Sequence, residues 1–311
     1  MAEPAAPPLA AVEELAAGEP VAVGASGPAG IPGRATSERI QRIVAYAAMF
    51  AIAALFFIPF LWSLSTSFKP LPETANFSLL PHDWTIAGYR AVFQNYNFGR
   101  YMANSAILAG AVTFTSVLLA ALGGYAFARL RFPGRDVLFF IVLGTLMIPD
   151  QLRLVPIYRM LTVFPLTHWN LVDTYQGYWS IGMVSATALF LMRQYFLTIP
   201  RDLEEAAKLD AAGYFKTFWR VMLPLAGPAL AAVAILEFQG TWNDFFWANL
   251  ILQSPTHWTM PVALAQFTFT YQTLWNSLMA ATMIALAPVV IVYLFFQRYF
   301  VAGVASAGVK G

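Results

Sequence analysis

Cysteine is absent from this chain, which removes disulfide frameworks and thiolate metal sites from consideration and leaves the redox compartment open. Histidine is scarce: His82, His168 and His257 are far apart and stand beside or near Trp84, Trp169 and Trp258. No pair has metal-ligand spacing, so polar rim residues beside interfacial aromatics are the better account. Charge is also sparse. Asp, Glu, Lys and Arg make up 11% of the chain and the net charge is +2, too small a surplus to point to nucleic acid. No Gly-Lys-Ser/Thr phosphate loop occurs, and no Ser/His/Asp, paired-carboxylate or metal-ligand constellation supports an enzyme.

What is present is apolar surface. Of the 311 residues 59% are apolar and 15% aromatic, well above the roughly 45–50% apolar content of soluble domains. The composition is that of an integral membrane protein, and the length of its apolar runs makes the expected fold all-α. Residues 1–38 are rich in Ala, Pro and Gly, with Glu13, Glu14 and Glu19. They read as a disordered tail, without the compact apolar region behind a basic start that marks a signal peptide. Six spans follow, at about 43–65, 101–127, 137–158, 178–193, 223–246 and 278–296. At about 1.5 Å per residue, roughly 20 residues cross a bilayer core. Span two is rich in small residues, which let helices approach closely in lipid. Span three is interrupted by Pro149 and Asp150, and a helix broken at depth must be shielded by protein or line a wet cavity. Asp150 is expected to cap or pair there with Arg153.

Six spans put both termini on one side. That side holds thirteen of the 18 lysines and arginines; Lys69, Arg90, Arg100, Arg153 and Arg159 are the other five. Positive charge marks the cytoplasmic face, so the termini and the loop 200–222 are expected in the cytoplasm. In that loop Asp202, with Glu205 three residues on, matches an N-terminal capping pattern. Leu203, Ala206, Ala207 and Asp210 would share a shallow face, Glu204 and Lys208 would pair at i, i+4, and Gly213 would stop the helix. Two readings stay open on residue physics: a docking helix, or an interfacial amphipathic helix without a partner.

Glu237 falls near the middle of span five, where an acid costs roughly 2.5–3.5 kcal/mol unless it faces protein or water. Gln239, Trp242, Asn243 and Asp244 follow within two turns. Carboxylates and amides suit sugar hydroxyls, and an indole suits a sugar's C–H face, so these five are candidates for a substrate path. The competing reading is structural glue between helices for Glu237 and Asn243.

The segment EEAAKLDAAGYFKTFWRVMLPLAGP resembles the signature loop of ABC importer permeases. Glu205-Ala206-Ala207, Asp210, Ala212, Phe218 and Leu223-Pro224-Leu225 match it. The glycine usual after the Asp is Ala211 here; either Gly213 supplies the flexibility or the turn tolerates a methyl group. YAFARLRFPGR, LMIPDQLRLVPIY, FLMRQYFLTIP, GTWNDFF and FQRYFVAGVASAGVKG are similar to the carbohydrate-importer branch, and within it to the maltose-type six-span permease subunit. The resemblance implies that the loop is a coupling helix, with Leu203, Glu205, Ala206, Ala207, Asp210, Ala211, Ala212, Gly213 and Phe218 at the contact with an ATPase. It implies two cytoplasmic ABC ATPase subunits that hold the ATP and magnesium, this chain binding no cofactor itself. It also implies a second permease subunit as a heterodimer, an extracytoplasmic solute-binding protein, and residence in a bacterial or archaeal inner membrane. The expected cargo is a sugar or oligosaccharide. Glycerol-3-phosphate importers share most of these motifs, but an anionic cargo should meet several cations and only Arg153 and Arg159 lie near the path. An ATP-independent secondary transporter or channel would show acidic or histidine relays on several spans and inverted repeats; one mid-span acid and no evident repeat are present.

Overall fold

The computed structural model describes residues 34–76, 78–163, 169–269 and 274–308. Most of the expected tail, and His168, lie outside the described residues. Among those residues all regular structure is helical. By internal contacts the chain divides into two units, residues 1–58 and 59–311.

The first unit holds the N-terminal part of α1 (Arg34–Ser67). Ile43, Phe50, Leu55 and Phe56 are each more than half exposed. A helix that is apolar all round belongs in a medium other than water.

The second unit is built on α3 (Phe98–Arg129), reached through α2 (Ala87–Asn95). α3 packs on α7 (Ala186–Thr198) and on α10 (Gly227–Trp242), and α10 packs in turn on α13 (Trp275–Gly308). The α3–α7 contact is close because α3 presents Ala120, Ala121, Gly124 and Ala128 to Met192 and Phe196. A methyl group on Gly124 would lie 2.8 Å from Met192 Cβ and from the Arg193 amide nitrogen. Such small-residue seams drive helix association where the solvent is itself apolar.

Three helices, Arg39–Ser67, Phe98–Arg129 and Trp275–Phe295, are long and apolar enough to cross a membrane, and up to five spans result if each of two bent pairs is one. Two of the expected spans, four and five, therefore need redrawing, while the interruption expected in span three at Pro149 and Asp150 is present. α4 (Arg135–Thr145) and α5 (Asp150–Thr162) meet at 101°, because Pro149 cannot donate into a continuing helix. Span four is split. α6 (Tyr175–Gly182) and α7 are separated at Met183–Ser185, and each has its own cap, Thr174 Oγ1 accepting from Gly177 N–H at 3.0 Å and Ser185 Oγ from Ala188 N–H at 3.2 Å. Span five does not start at Leu223. α9 (Tyr214–Leu225) meets α10 at 77°, with Pro228 in the first turn of α10, where its missing N–H is no loss.

At the other end of the bundle, α11 (Phe246–Ile251) and α12 (Met260–Phe269) are joined by a polar loop. Asp173, at φ +60°, ties this loop to the segment before α6. Its carboxylate accepts from Ser254 N–H at 2.9 Å, from the Ser254 hydroxyl, and contacts His257 Nδ1 at 3.0 Å. His257, expected as a polar rim residue, is tied to Asp173 by this contact. Its ring meets Tyr175 edge-on, and the Tyr175 hydroxyl donates to Asn104 at 2.7 Å. Asn104 in turn donates to the carbonyls of Thr256 and Trp258.

Candidate functional site

A cavity of about 630 Å³ lies between α10, the α4–α5 break and the α6–α7 junction. One side is a single stripe of α10 and its extension: Glu237, Gly240, Thr241 and Asp244 recur at i, i+3, i+4 and i+7, the spacing of one helix face. Glu237 Oε2 accepts from Ser116 Oγ at 3.1 Å, and Ser116 is fully buried on α3. Asp244 accepts from the Tyr178 hydroxyl at 2.8 Å and from Trp247 N–H at 3.2 Å, so it ties α6 to the start of α11. Facing these acids, Asp150 and Arg153 form an i, i+3 ion pair at the break.

The five path candidates do not act as one group. Glu237 and Asp244 line the cavity together. Gln239 points to the far side of α10, into a groove with Val289 and Tyr293. Trp242 is buried against α13, its Nε1 donating to Ala285 O at 3.1 Å. Asn243 is exposed beyond the helix end and outside the cavity lining. Helix periodicity alone separates them, since i+2 and i+6 lie off the stripe that carries i and i+7. Tyr178, Ser116 and Trp247 were not foreseen as members of the site. The partners of Tyr178 and Ser116 are distant in sequence, and only the small polar character of span two hinted at Ser116.

The loop 200–222 forms a second constellation. α8 (Asp202–Leu209) begins without a side-chain cap: Arg201 is the N-cap residue, and Asp202, Glu204 and Glu205 crowd the first turn, where acids complement the helix dipole. The expected capping box is not formed. Glu204 does not pair with Lys208 either. It meets Arg129, at the end of α3, at 3.4 Å, with side chains 13% and 4% exposed. Arg129 also donates to the carbonyls of Phe196 and Ile199 at the end of α7. One guanidinium therefore ties α3, α7 and α8 together, beside a cavity of about 470 Å³ that Arg131, Arg201 and Lys208 also line.

Gly213 does not end the helix. Asp210 is the C-cap, and Ala211 follows at φ +54°. Ala211 N–H donates to Lys208 O and Ala212 N–H to Ala207 O, both at 3.0 Å, which is the Schellman pattern with Ala211 where glycine is usual. Gly213 is extended. Of the expected contact residues Leu203, Glu205, Ala206 and Asp210 are exposed, Ala212 is half-buried, and Ala207 and Phe218 are buried. Phe218 packs on Tyr125 and Phe196 inside the bundle, not on a docking face. Leu209, 89% exposed at the helix end, was not anticipated.

An apolar helical bundle with a carboxylate-lined cavity at a broken span, and a short charged helix outside it, defines a membrane transport subunit. The family "Binding-protein-dependent transport system inner membrane component" matches residues 116–306, and the chain belongs to that family. It is 33% identical to the arabinooligosaccharides transport system permease protein AraQ of Halalkalibacterium halodurans, over 84% of this chain and 93% of that protein. It is 37% identical to the sn-glycerol-3-phosphate transport system permease protein UgpE of Yersinia pestis, over 68% of this chain and 74% of that one. Its fold matches a chain in the crystal structure of a bacterial ABC transporter involved in the import of the acidic polysaccharide alginate, with a TM-score of 0.75 and 27% identity over 85% of this chain and 98% of that one.

Proposed function

We propose that this chain is the permease subunit of a sugar or oligosaccharide importer and that the 630 Å³ cavity is its share of the translocation path. Its partners on this reading are a second permease subunit, two cytoplasmic ABC ATPases that hold ATP and magnesium, and an extracytoplasmic solute-binding protein. The ATPase docks on the exposed face of α8, through Leu203, Glu205, Ala206, Leu209 and Asp210, in the cytoplasm, where both termini also lie. Closure of the ATPases would reach the bundle through the Arg129–Glu204 pair. Buried Ala207 and Phe218 support the helix from behind, and Ala211 to Gly213 shape the turn.

The observation that carries the reading is the cavity's charge. Arg153 is paired with Asp150, which leaves Glu237 and Asp244 as the acids without a cation in the lining. Carboxylates accept hydrogen bonds from hydroxyl groups and repel anions, so a neutral polyhydroxyl cargo fits better than the glycerol-3-phosphate of one relative's name. The test is ATP-dependent uptake by the complex reconstituted in vesicles. The native complex should co-purify with an ATPase and take up a neutral oligosaccharide against excess acidic competitor. Glu205→Lys should insert normally yet lose most ATP-driven uptake. Uptake that survives ATP depletion, or full activity of Glu205→Lys, would overturn docking on α8.

A further inference from the structure

We propose that the outward face of α9 is a lipid-headgroup surface selective for anionic phospholipid. α9 stands at 77° to α10. An arm nearly perpendicular to an apolar helix that crosses the bilayer runs along the membrane plane, not through it.

The two faces of α9 differ sharply. Thr217, Phe218 and Met222 are buried in the bundle with Tyr125 and Phe196. Phe215, Trp219 and Leu225 are 71%, 41% and 45% exposed, and Lys216 and Arg220 are exposed beside them. The Phe215 and Trp219 rings meet at 6.0 Å, one turn apart. The middle of α9, Phe218–Met222, is a π-helical turn. In an uninterrupted α-helix Trp219 and Met222, three residues apart, would share a face; the wider turn sends Trp219 outward and Met222 inward.

Aromatic residues interleaved with cations suit the boundary between acyl chains and headgroups: the rings enter the apolar layer and the cations reach phosphate oxygens. α9 itself carries no acid, and among the described ion pairs Lys216 and Arg220 have none. The acids on neighbouring α8 are Asp202, Glu204 and Glu205, with Asp210 just beyond, and Glu204 is held by Arg129. An anionic headgroup therefore meets two cations that stand in none of the described ion pairs, and the occupant is the lipid beside the protein, not a soluble ligand.

Because the chain has no cysteine, Phe215→Cys creates a unique labelling site, and Trp219→Cys gives a second should the first fail to assemble. A fluorophore at either position is read in nanodiscs of phosphatidylcholine containing a small, equal fraction of headgroup-spin-labelled phosphatidylcholine or phosphatidylglycerol. Both lipids should quench, with phosphatidylglycerol favoured about fivefold for each cation. Lys216→Gln with Arg220→Gln should abolish the preference while leaving the quenching itself. A label on Leu209→Cys, at the exposed end of α8, should remain unquenched. No quenching at position 215 or 219 would overturn the proposal and leave the face to a protein partner such as the ATPase. Equal quenching by the two lipids would overturn the anionic selectivity. Neither outcome bears on whether uptake needs ATP, so failure here is distinguishable from failure of the importer reading.

Discussion

At the scale of single residues, Ala211 is the position where this chain departs from the loop it resembles. The backbone answers the choice posed by its sequence: the turn keeps its left-handed conformation, φ +54°, with alanine in the glycine position, and Gly213 takes no part. A left-handed L-residue costs roughly 1–2 kcal/mol, and glycine returns roughly 0.5–1 kcal/mol of that through its greater freedom in the unfolded chain. Ala211→Gly should therefore stabilise the α8 end by about 0.5–1 kcal/mol. The expected readout is a higher thermal midpoint in detergent and slower tryptic cleavage at Lys208, just inside the turn. A lower midpoint would mean that the methyl group makes a contact worth more than the strain, which its exposed position argues against.

Among elements, the connection between the segment before α6 and the α11–α12 loop depends on one carboxylate. Burial pushes the Asp173 carboxyl up, but hydrogen bonds from the Ser254 hydroxyl and N–H, with His257 alongside, outweigh it and hold the pKa at about 2, below the ordinary 3.8. A depressed carboxylate contributes stability that is complete above its unfolded value and is lost as pH falls through the folded one. Thermal stability should decline between 3.8 and about 2 in the native chain. Asp173→Asn should be less stable above that window and flatter across it; identical profiles would show that the link carries no stability. Sequence spacing could not reveal this contact, because Asp173 and His257 belong to different loops and meet only when α6 and α11 pack. The same holds for Arg129 and Glu204. What was legible followed from local rules: long apolar runs gave α1, α3 and α13, and Pro149 marked the break before α5. The split of span four was hidden because Ser185, which caps its second half, sits between Ile181 and Met192 in a stretch that reads as continuous by composition. The cavity was half legible: Glu237 stood out as an acid in an apolar run, whereas grouping it with Gln239, Trp242 and Asn243 set sequence proximity above helix periodicity.

On the scale of the whole molecule, the proposed function, with the unequal distribution of lysine and arginine, would put α8 in the cytoplasm and the α11–α12 loop on the opposite face. The path between them has a single long apolar element. α10 has 16 residues, about 24 Å of helix, somewhat short of a core of roughly 30 Å. A re-entrant α9–α10 would instead return both loops to one face and remove a span. Two single-cysteine variants of the cysteine-free chain distinguish these arrangements: Leu209→Cys at the 89% exposed end of α8, and Thr256→Cys, exposed in the α11–α12 loop. A membrane-impermeant maleimide should label the second in intact spheroplasts and the first only in inside-out vesicles. Labelling of both from the same side would make α10 re-entrant, move Glu237 and Asp244 out of a transmembrane path, and leave the cavity open to one face only.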